Sequence, residues 1–409
     1  MPTVAYIWSP TLQKAADALP ANLNRSSLVH GLAQSLDLLQ VGVAEPLRAV
    51  LLPPDPSLAT AEELKRYHSP AYVGSEGSDA SDSSDGPPPT KRLRSEKHGF
   101  EHDCPAFPLL HEYSLQVAAA TLTACRLLAR GQADITINWD GGRHHALRSR
   151  ASGFCYVADI VLGIMLLTRE GKAGPEIPRI RPLRPRVLYL DFDLHYGDGV
   201  ALAFHSPTSQ LKAKPPQVLT LSVHHSAPAF FPPPSPLSLL PSATTTSPFT
   251  LSIPLLAYPS RATYAAIFPS VERIYQAYKP DYVVLQLGAD GLPGDPIGQW
   301  GNWSTHGEGS MLWVAEKVKG WGVPLCVLGG GGYKNADTAR AWAGVTAAMV
   351  GRDIGDDVPH HEHFAEYAPS FTLGVEEGKV KDENTTEYIT AINERFKALS
   401  DRIATIVNA

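Results

Sequence analysis

The stretch Leu190–Gly199 reads LDFDLHYGDG and sets Asp191, Asp193, His195 and Asp198 directly behind the apolar run Val187-Leu188-Tyr189. In open α/β sheets, ligands bind at the carboxyl ends of the strands, where such charge would lie. Strand side chains alternate, so Asp191 and Asp193 point to one side while the strand lasts. A second apolar run, YVVLQLGAD, ends at Asp290. Asp193, His195 and Asp290 offer two carboxylate oxygens and one imidazole nitrogen. Three protein ligands leave a coordination position open, the mark of a catalytic rather than a structural metal. Zinc suits such donors at about 2.0–2.2 Å, and the same N/O set serves Fe(II) or Mn(II). The plainer alternative is that each aspartate caps a following turn or helix.

Two further motifs carry chemistry. INWDGGRHHA places His144-His145 after a Gly-Gly turn. Adjacent histidines face one site only if each ring is held. Asp191 and Asp198 are natural partners, because a carboxylate on one ring nitrogen fixes the tautomer and raises basicity at the other. LCVLGGGGYKNADTARAW puts four glycines after a strand and Tyr333 after them. It matches neither phosphate-cradling pattern, G-x-G-x-x-G or G-K-[ST]. A tyrosine hydroxyl presented by a glycine turn can instead donate to a developing oxyanion.

Positioning these residues needs a large core. Strands are expected at Val4–Trp8, Ile135–Trp139, Val187–Asp191, Val218–Val223, Thr250–Pro254, Tyr282–Leu287 and Leu325–Leu328. Several are nearly continuous in Val, Leu and Ile, as strands covered on both faces are. Helices are expected at Ser26–Leu39, Leu109–Arg130, Phe154–Arg169, Arg261–Tyr278, Thr305–Lys319, Ala336–Val350 and Glu387–Val407. The alternation predicts an α/β fold, three layers deep around a mostly parallel sheet. Residues 1–380 read as a single catalytic domain and 381–409 as a C-terminal helix. The Ser/Asp/Pro-rich segment at about 74–97 cannot bury a face and reads as a disordered insertion. Its basic cluster Lys91-Arg92-Leu93-Arg94 reads as a nuclear import signal or a solvated charge run. Phe231–Ser247 is too rich in Pro, Ser and Thr for regular structure.

The 409-residue chain is 44% apolar and 19% charged, as soluble globular proteins are, with a formal net charge of −6. No global basic field draws it to nucleic acid or to an acidic membrane. Its four cysteines form no C-x-x-C pair and no disulfide framework, so they read as buried thiols in a reducing compartment. The start, MPTVAYIWSP, lacks the pattern of a secretory signal. No apolar run approaches the ~20 residues of a membrane span.

HHA after a glycine turn, ASGFCY, LDFDLHYGDGV, LQLGAD and LGGGGY occur in this order, and jointly they resemble the arginase/deacetylase fold and, within it, the zinc-dependent class I histone deacetylases. The resemblance runs from VAYIWSP to about Val350. It implies Asp193, His195 and Asp290 as zinc ligands, and His144 and His145 as the active-site pair with Asp191 and Asp198 behind them. His145 would serve as general base and then acid, His144 as an electrostatic aid, and Tyr333 as the group polarising the acetyl carbonyl. Phe154 and Phe231 would wall the acetyl-lysine tunnel, with Gly153 and Gly331 beside it and Asp103 on its rim. Arg25 would lie in an interior pocket associated with acetate exit. A structural potassium ion would use carbonyls of Asp191, Asp193, His195 and Val223, with side-chain oxygens of Asp191 and Ser222. Acetylated histone tails, corepressor subunits and a nuclear location, with the cytoplasm as a further one, follow from the same likeness.

The chain departs from that pattern in places. Tyr196 stands where His is usual, and the chemistry does not need it. Arg143 replaces an apolar residue and is expected to alter the rim. FFPPPSP replaces a glycine-bearing turn after Phe231, and prolines fix φ and remove amide donors. Acetylpolyamine hydrolysis and a low-activity acetyl-lysine-binding scaffold remain as alternatives, the second resting on that loop.

Overall fold

The computed structural model describes residues 2–43, 45–75, 97–172, 184–206 and 216–408. Most of the Ser/Asp/Pro-rich segment, including the basic cluster at 91–94, lies outside them. Nine strands form one sheet: β1 (Val4–Ile7), β2 (Leu39–Gln40), β3 (Ala49–Leu52), β4 (Ile135–Asn138), β5 (Val187–Asp191), β6 (Val218–His225), β7 (Thr250–Leu255), β8 (Tyr282–Gln286) and β9 (Leu325–Leu328). Their order is β2-β3-β1-β4-β9-β8-β5-β6-β7. Every pairing is parallel.

Alternation along the strands builds two cores. Leu188, Leu190, Val283, Leu285, Leu325 and Val327 face one. Val187, Tyr189, Tyr282, Val284, Cys326 and Leu328 face the other. This is why the strands read as unbroken apolar runs. Helices α1 (Pro10–Asp17), α3 (Leu110–Ala129) and α4 (Asp159–Glu170) cover the second core. The first is covered by α2 (Arg25–Ser35), α6 (Arg261–Tyr278), α7 (Met311–Lys319), α8 (Asn335–Val350) and α9 (Thr386–Asn408). Helix α5 (Asp198–Phe204) follows β5. The result is the three-layer α/β/α arrangement.

Two helices start later than expected, for local reasons. Phe154 has φ of 61° and Ser152 pairs with Cys155, so residues before Asp159 form a loop and not the first turn of α4. Gly307 and Gly309 have positive φ, and Ser310 then caps α7 by accepting the Trp313 amide proton at 3.2 Å. Strands β2 and β3, absent from the sequence reading, are short and lie at one edge of the sheet. Residues 231–247 contain no helix or strand, yet side chains tie them down. His224 Nε2 meets the Ser238 carbonyl at 3.1 Å, and Arg395 and Arg402 of α9 donate to the carbonyls of Pro241 and Thr246.

Candidate active site

Four strand ends lie level in the sheet. Asp191 pairs with Gln286, Gln286 with Leu328, and Leu328 with Asn138. The loops that leave β4, β9, β8 and β5 therefore open onto one spot. They carry His144-His145, the glycine turn with Tyr333, Asp290, and Asp193 with His195.

Asp193, His195 and Asp290 converge, with one ligand atom from each lying within 4.8 Å of the others, and all three are buried. His195 Nδ1 lies 2.7 Å from Asp290 Oδ2 and 3.4 Å from Asp193 Oδ1. Neighbours hold the remaining carboxylate oxygens. Gln286 Nε2 and the Gly331 amide donate to Asp193 Oδ2, each at 2.8 Å, and the Leu194 amide donates to Asp290 Oδ1 at 3.0 Å. Such support fixes ligand geometry. Asp193 Oδ1 also accepts the His195 amide proton at 3.0 Å, so the residue caps its own turn as well. Burial and the neighbouring Asp193 charge push Asp290 up to about 7. Burial works against a charge on His195, but Asp290 and Asp193 outweigh it and hold the ring up to about 10. Two crowded, buried carboxylates and one imidazole fit a divalent cation, which would satisfy all three donors at once. A Cβ on Gly288 would fall 2.1 Å from Asp193 Oδ2, and one on Gly331 2.2 Å from Asp290 Oδ2, so only glycine admits these carboxylates.

The histidine pair is held from behind. His144 Nδ1 lies 2.9 Å from Asp191 Oδ2, and His145 Nδ1 lies 2.8 Å from Asp198 Oδ1. Their rings are 3.9 Å apart. Burial opposes a charge on His144, but the Asp193 and Asp191 carboxylates raise it to about 9. Burial and the adjacent His144 lower His145. The surroundings thus push the two rings in opposite directions, His144 towards its protonated form and His145 towards its neutral one. The Phe231 ring packs on His145 at 4.9 Å, and Phe154 on Tyr333 at 5.4 Å. Gly153 lies between these walls; its φ is 55°, and a Cβ there would meet His145 at 2.4 Å. Burial and the Asp290 charge hold the Tyr333 hydroxyl well above its usual range, so it stays a donor.

A family model for the histone deacetylase domain matches residues 20–349. The chain belongs to the histone deacetylase family. That membership makes it a hydrolase of the metal-dependent, acetyl-lysine-deacetylating kind. It is 33% identical over 401 residues to histone deacetylase 8 of Danio rerio, covering 97% of this chain and 94% of the relative. Histone deacetylase 8 of Xenopus tropicalis is 34% identical over 394 residues, 96% of each chain. Histone deacetylase 6 of Arabidopsis thaliana is 35% identical over 355 residues, covering 87% of this chain and 69% of the relative.

Within this histone deacetylase site, the other expected residues fall as follows. Asp103 accepts the Gly153 amide proton at 2.6 Å. Gly331 directs its amide to Asp193 Oδ2 and so supports the Asp193, His195 and Asp290 set. Asp191 and Ser222 are register partners on β5 and β6, with Val223 next in β6, and Ser222 Oγ meets His224 Nδ1 at 3.0 Å. Arg25 lies inside, donating to the carbonyls of Gly330 at 3.0 Å and Gly332 at 2.9 Å. Tyr196 is buried against His224. Arg143 corrects the sequence reading. It is not on the rim but buried, with its guanidinium over Tyr113 and its Nη2 donating to the Asp140 carbonyl at 2.8 Å. The chain turns it inward because the Gly142 and Arg143 amides are both anchored on the buried Asp159.

Three supporting residues escaped the sequence reading. Gln286 aims Asp193. Its signal was a polar residue inside an apolar strand. Tyr189 donates to Asp191 Oδ2 at 2.8 Å. Asp295 accepts the Tyr333 amide proton at 2.6 Å and carried no signal at all.

Proposed function

We propose that the protein is a zinc-dependent protein lysine deacetylase that converts N-ε-acetyl-lysine to lysine and acetate. Acetylated histone tails are its substrate, within corepressor assemblies that silence chromatin in the nucleus. Residues 1–380 act as the catalytic domain and the C-terminal helix as its accessory. The carrying observation is the junction of two His–Asp pairs with the Asp193, His195 and Asp290 triad in one buried cluster.

Zinc on that triad would supply an activated water and a polarised acetyl carbonyl. His145 presents Nε2 to the water, because Nδ1 is held by Asp198. Being neutral, it takes the water proton and later gives it to the departing lysine nitrogen. His144, held by Asp191, aids the reaction electrostatically. Tyr333 donates to the developing oxyanion, a contact worth about 3–4 kcal/mol. Phe154 and Phe231 enclose the side chain's four methylenes, which gain ~0.8 kcal/mol each on burial, roughly 3 kcal/mol together. A free lysine ammonium would be desolvated there at considerable cost, which favours the neutral, acetylated form. A structural potassium ion at the paired ends of β5 and β6 belongs to the same reading.

The test is an assay on an acetyl-lysine peptide, with and without a chelator, beside Tyr333→Phe and His145→Ala. Turnover should stop with the chelator, return with zinc, and be lost in both variants. A wild type inactive with added zinc or iron overturns the reading. Faster hydrolysis of acetylated polyamines than of peptides would replace the substrate.

A further inference from the structure

An exposed aromatic pair lies at the same end of the sheet as the site. Strands β6 and β7 are neighbours with His225 opposite Leu255, and the loops beyond them carry Phe230 and Tyr258. Trp300 joins Tyr258 from the loop after Asp290. Trp300 is 40% exposed and Tyr258 half-buried, with their rings 5.5 Å apart at 49°. The Trp300 ring also meets His225 at 6.0 Å. His225 packs on Phe230 at 4.7 Å, and Phe230 stacks on His195 at 4.7 Å. The Tyr258 amide donates to the Trp300 carbonyl at 2.8 Å, and the backbone is left-handed at Tyr258, with φ of 58°, and at Gln299, with φ of 45°. Residues with side chains hold such φ only where their surroundings impose it, and these positions gather at functional sites.

A carboxylate stands next to the pair. Glu383 is exposed, and its amide donates to the Ala257 carbonyl at 3.1 Å. Asn384 pins the same segment by accepting the Leu256 amide proton at 2.8 Å. Burial lowers His225 and the Glu383 charge opposes it, so the field of the carboxylate reaches the ring on which Trp300 packs. The neighbouring acids are occupied. Glu376 and Glu377 pair with His306 and Arg261, and Asp382 accepts from Ser260 and Thr263. Among the described residues, no cation lies within 4.0 Å of the Glu383 carboxylate, and no lysine or arginine lies over Tyr258 or Trp300. Aromatic rings attract an ammonium or guanidinium within about 6 Å, tryptophan most strongly. Two rings and one carboxylate thus make a set suited to a cation, and the described residues supply none.

We infer that Trp300, Tyr258 and Glu383 form a subsite for a lysine or arginine side chain of the acetylated protein, two or three residues from the acetyl-lysine. The inference rests on the proposed deacetylation for its setting and names the sequence that the substrate carries. Two ring contacts separate Trp300 from Phe230, and Phe231 follows next in the chain. An extended peptide rises about 3.3 Å per residue, so a long basic side chain at that spacing spans the gap. Proteins with clustered lysines and arginines around the acetylated position, as in basic tails, are the substrates this arrangement favours.

Binding can be read without turnover. Fluorescent acetyl-lysine peptides, alanine elsewhere, carry lysine, arginine, glutamine or norleucine at one flanking position at a time. Their affinity for the metal-loaded protein carrying Tyr333→Phe is measured by anisotropy. At two or three residues from the acetyl-lysine, lysine and arginine should bind roughly three- to tenfold tighter than glutamine and norleucine. Adding Glu383→Gln or Trp300→Leu should bring that ratio close to one, and Trp300→Phe should keep part of it. Equal binding of lysine and norleucine at every position overturns the inference. So does a lysine preference that Glu383→Gln leaves unchanged, whatever Trp300→Leu does, because Glu383→Gln alters an exposed group and cannot act through a folding defect. Turnover of the same peptides by wild type separates this subsite from the deacetylase reading. Cleavage without a basic preference sinks the subsite alone. A basic preference in binding without cleavage sinks the deacetylase reading alone. No binding of any acetylated peptide sinks both.

Discussion

Asp295 holds the main chain of Tyr333. Its Oδ2 accepts the Tyr333 amide proton at 2.6 Å and that of Lys334 at 3.2 Å, while Oδ1 accepts from Ile297 and Gly298 at 2.9 and 2.8 Å. One buried carboxylate thus ties the loop after Asp290 to the loop that carries the tyrosine. Asp295→Ala should lower kcat on the order of 10²-fold, the cost of misplacing a reacting group by about an ångström. Metal content, read by elemental analysis, should be unchanged. Loss of metal in step with kcat would show that Asp295 supports Asp290 instead.

The split of the histidine pair sets the acid limb of the rate profile. His145 works as a base only when neutral, and burial with His144 lowers it from the ordinary value of about 6.5. Activity is therefore present above that lowered value and is lost as pH falls through it. The acid limb of kcat/KM should lie below 6.5. Asp198 pulls the other way, so Asp198→Asn should move the limb lower still while reducing kcat through loss of the tautomer control. A limb above 6.5 in the wild type would rule out His145 as the base.

Metal addition should stabilise the fold as well as restore activity. A cation bound by the Asp193, His195 and Asp290 set at about 100 times its Kd adds about 2.7 kcal/mol. The Tm of chelator-treated protein should rise on zinc addition. Asp193→Ala should abolish the rise along with turnover.

Gly331→Ala places a methyl where Asp290 Oδ2 stands, 2.2 Å from the new Cβ. Metal affinity should fall roughly 10–100-fold, as it does when groups that orient ligands are disturbed. Competition with a fluorescent zinc chelator measures this directly. Unchanged affinity would mean the glycine turn yields more easily than its contacts suggest.

Helix α9 buries Ile392, Phe396, Leu399 and Ile403. Phe396→Ala should cost about 3–5 kcal/mol of stability. At temperatures where the protein stays folded, kcat should not move. Chemical denaturation and steady-state assays separate the two effects.

Much of the site was legible in short segments. LDFDLH and LQLGAD place acids where apolar strands end, and β5 and β9 begin and end at the expected residues. The strands were readable because both faces of a parallel sheet are buried, which leaves unbroken apolar runs. The late starts of α4 and α7 were not, because positive φ at Phe154, Gly307 and Gly309 overrides an apolar pattern. Gln286 and Asp295 gave little or no sign, since each acts through groups distant in sequence or through backbone amides.

By itself, the sequence determined the donor types, the strand ends that carry them and the α/β class, because these depend on local patterning. Only the tertiary structure decided what meets what. His195 and Asp290 stand 95 residues apart and come within 2.7 Å because β5 and β8 are neighbours in the sheet, an order that no local pattern specifies. The same holds for Arg143. Its place in the motif suggested a rim, but the Asp159 carboxylate gathers the backbone amides of Gly142 and Arg143, and the buried guanidinium lies over the Tyr113 ring.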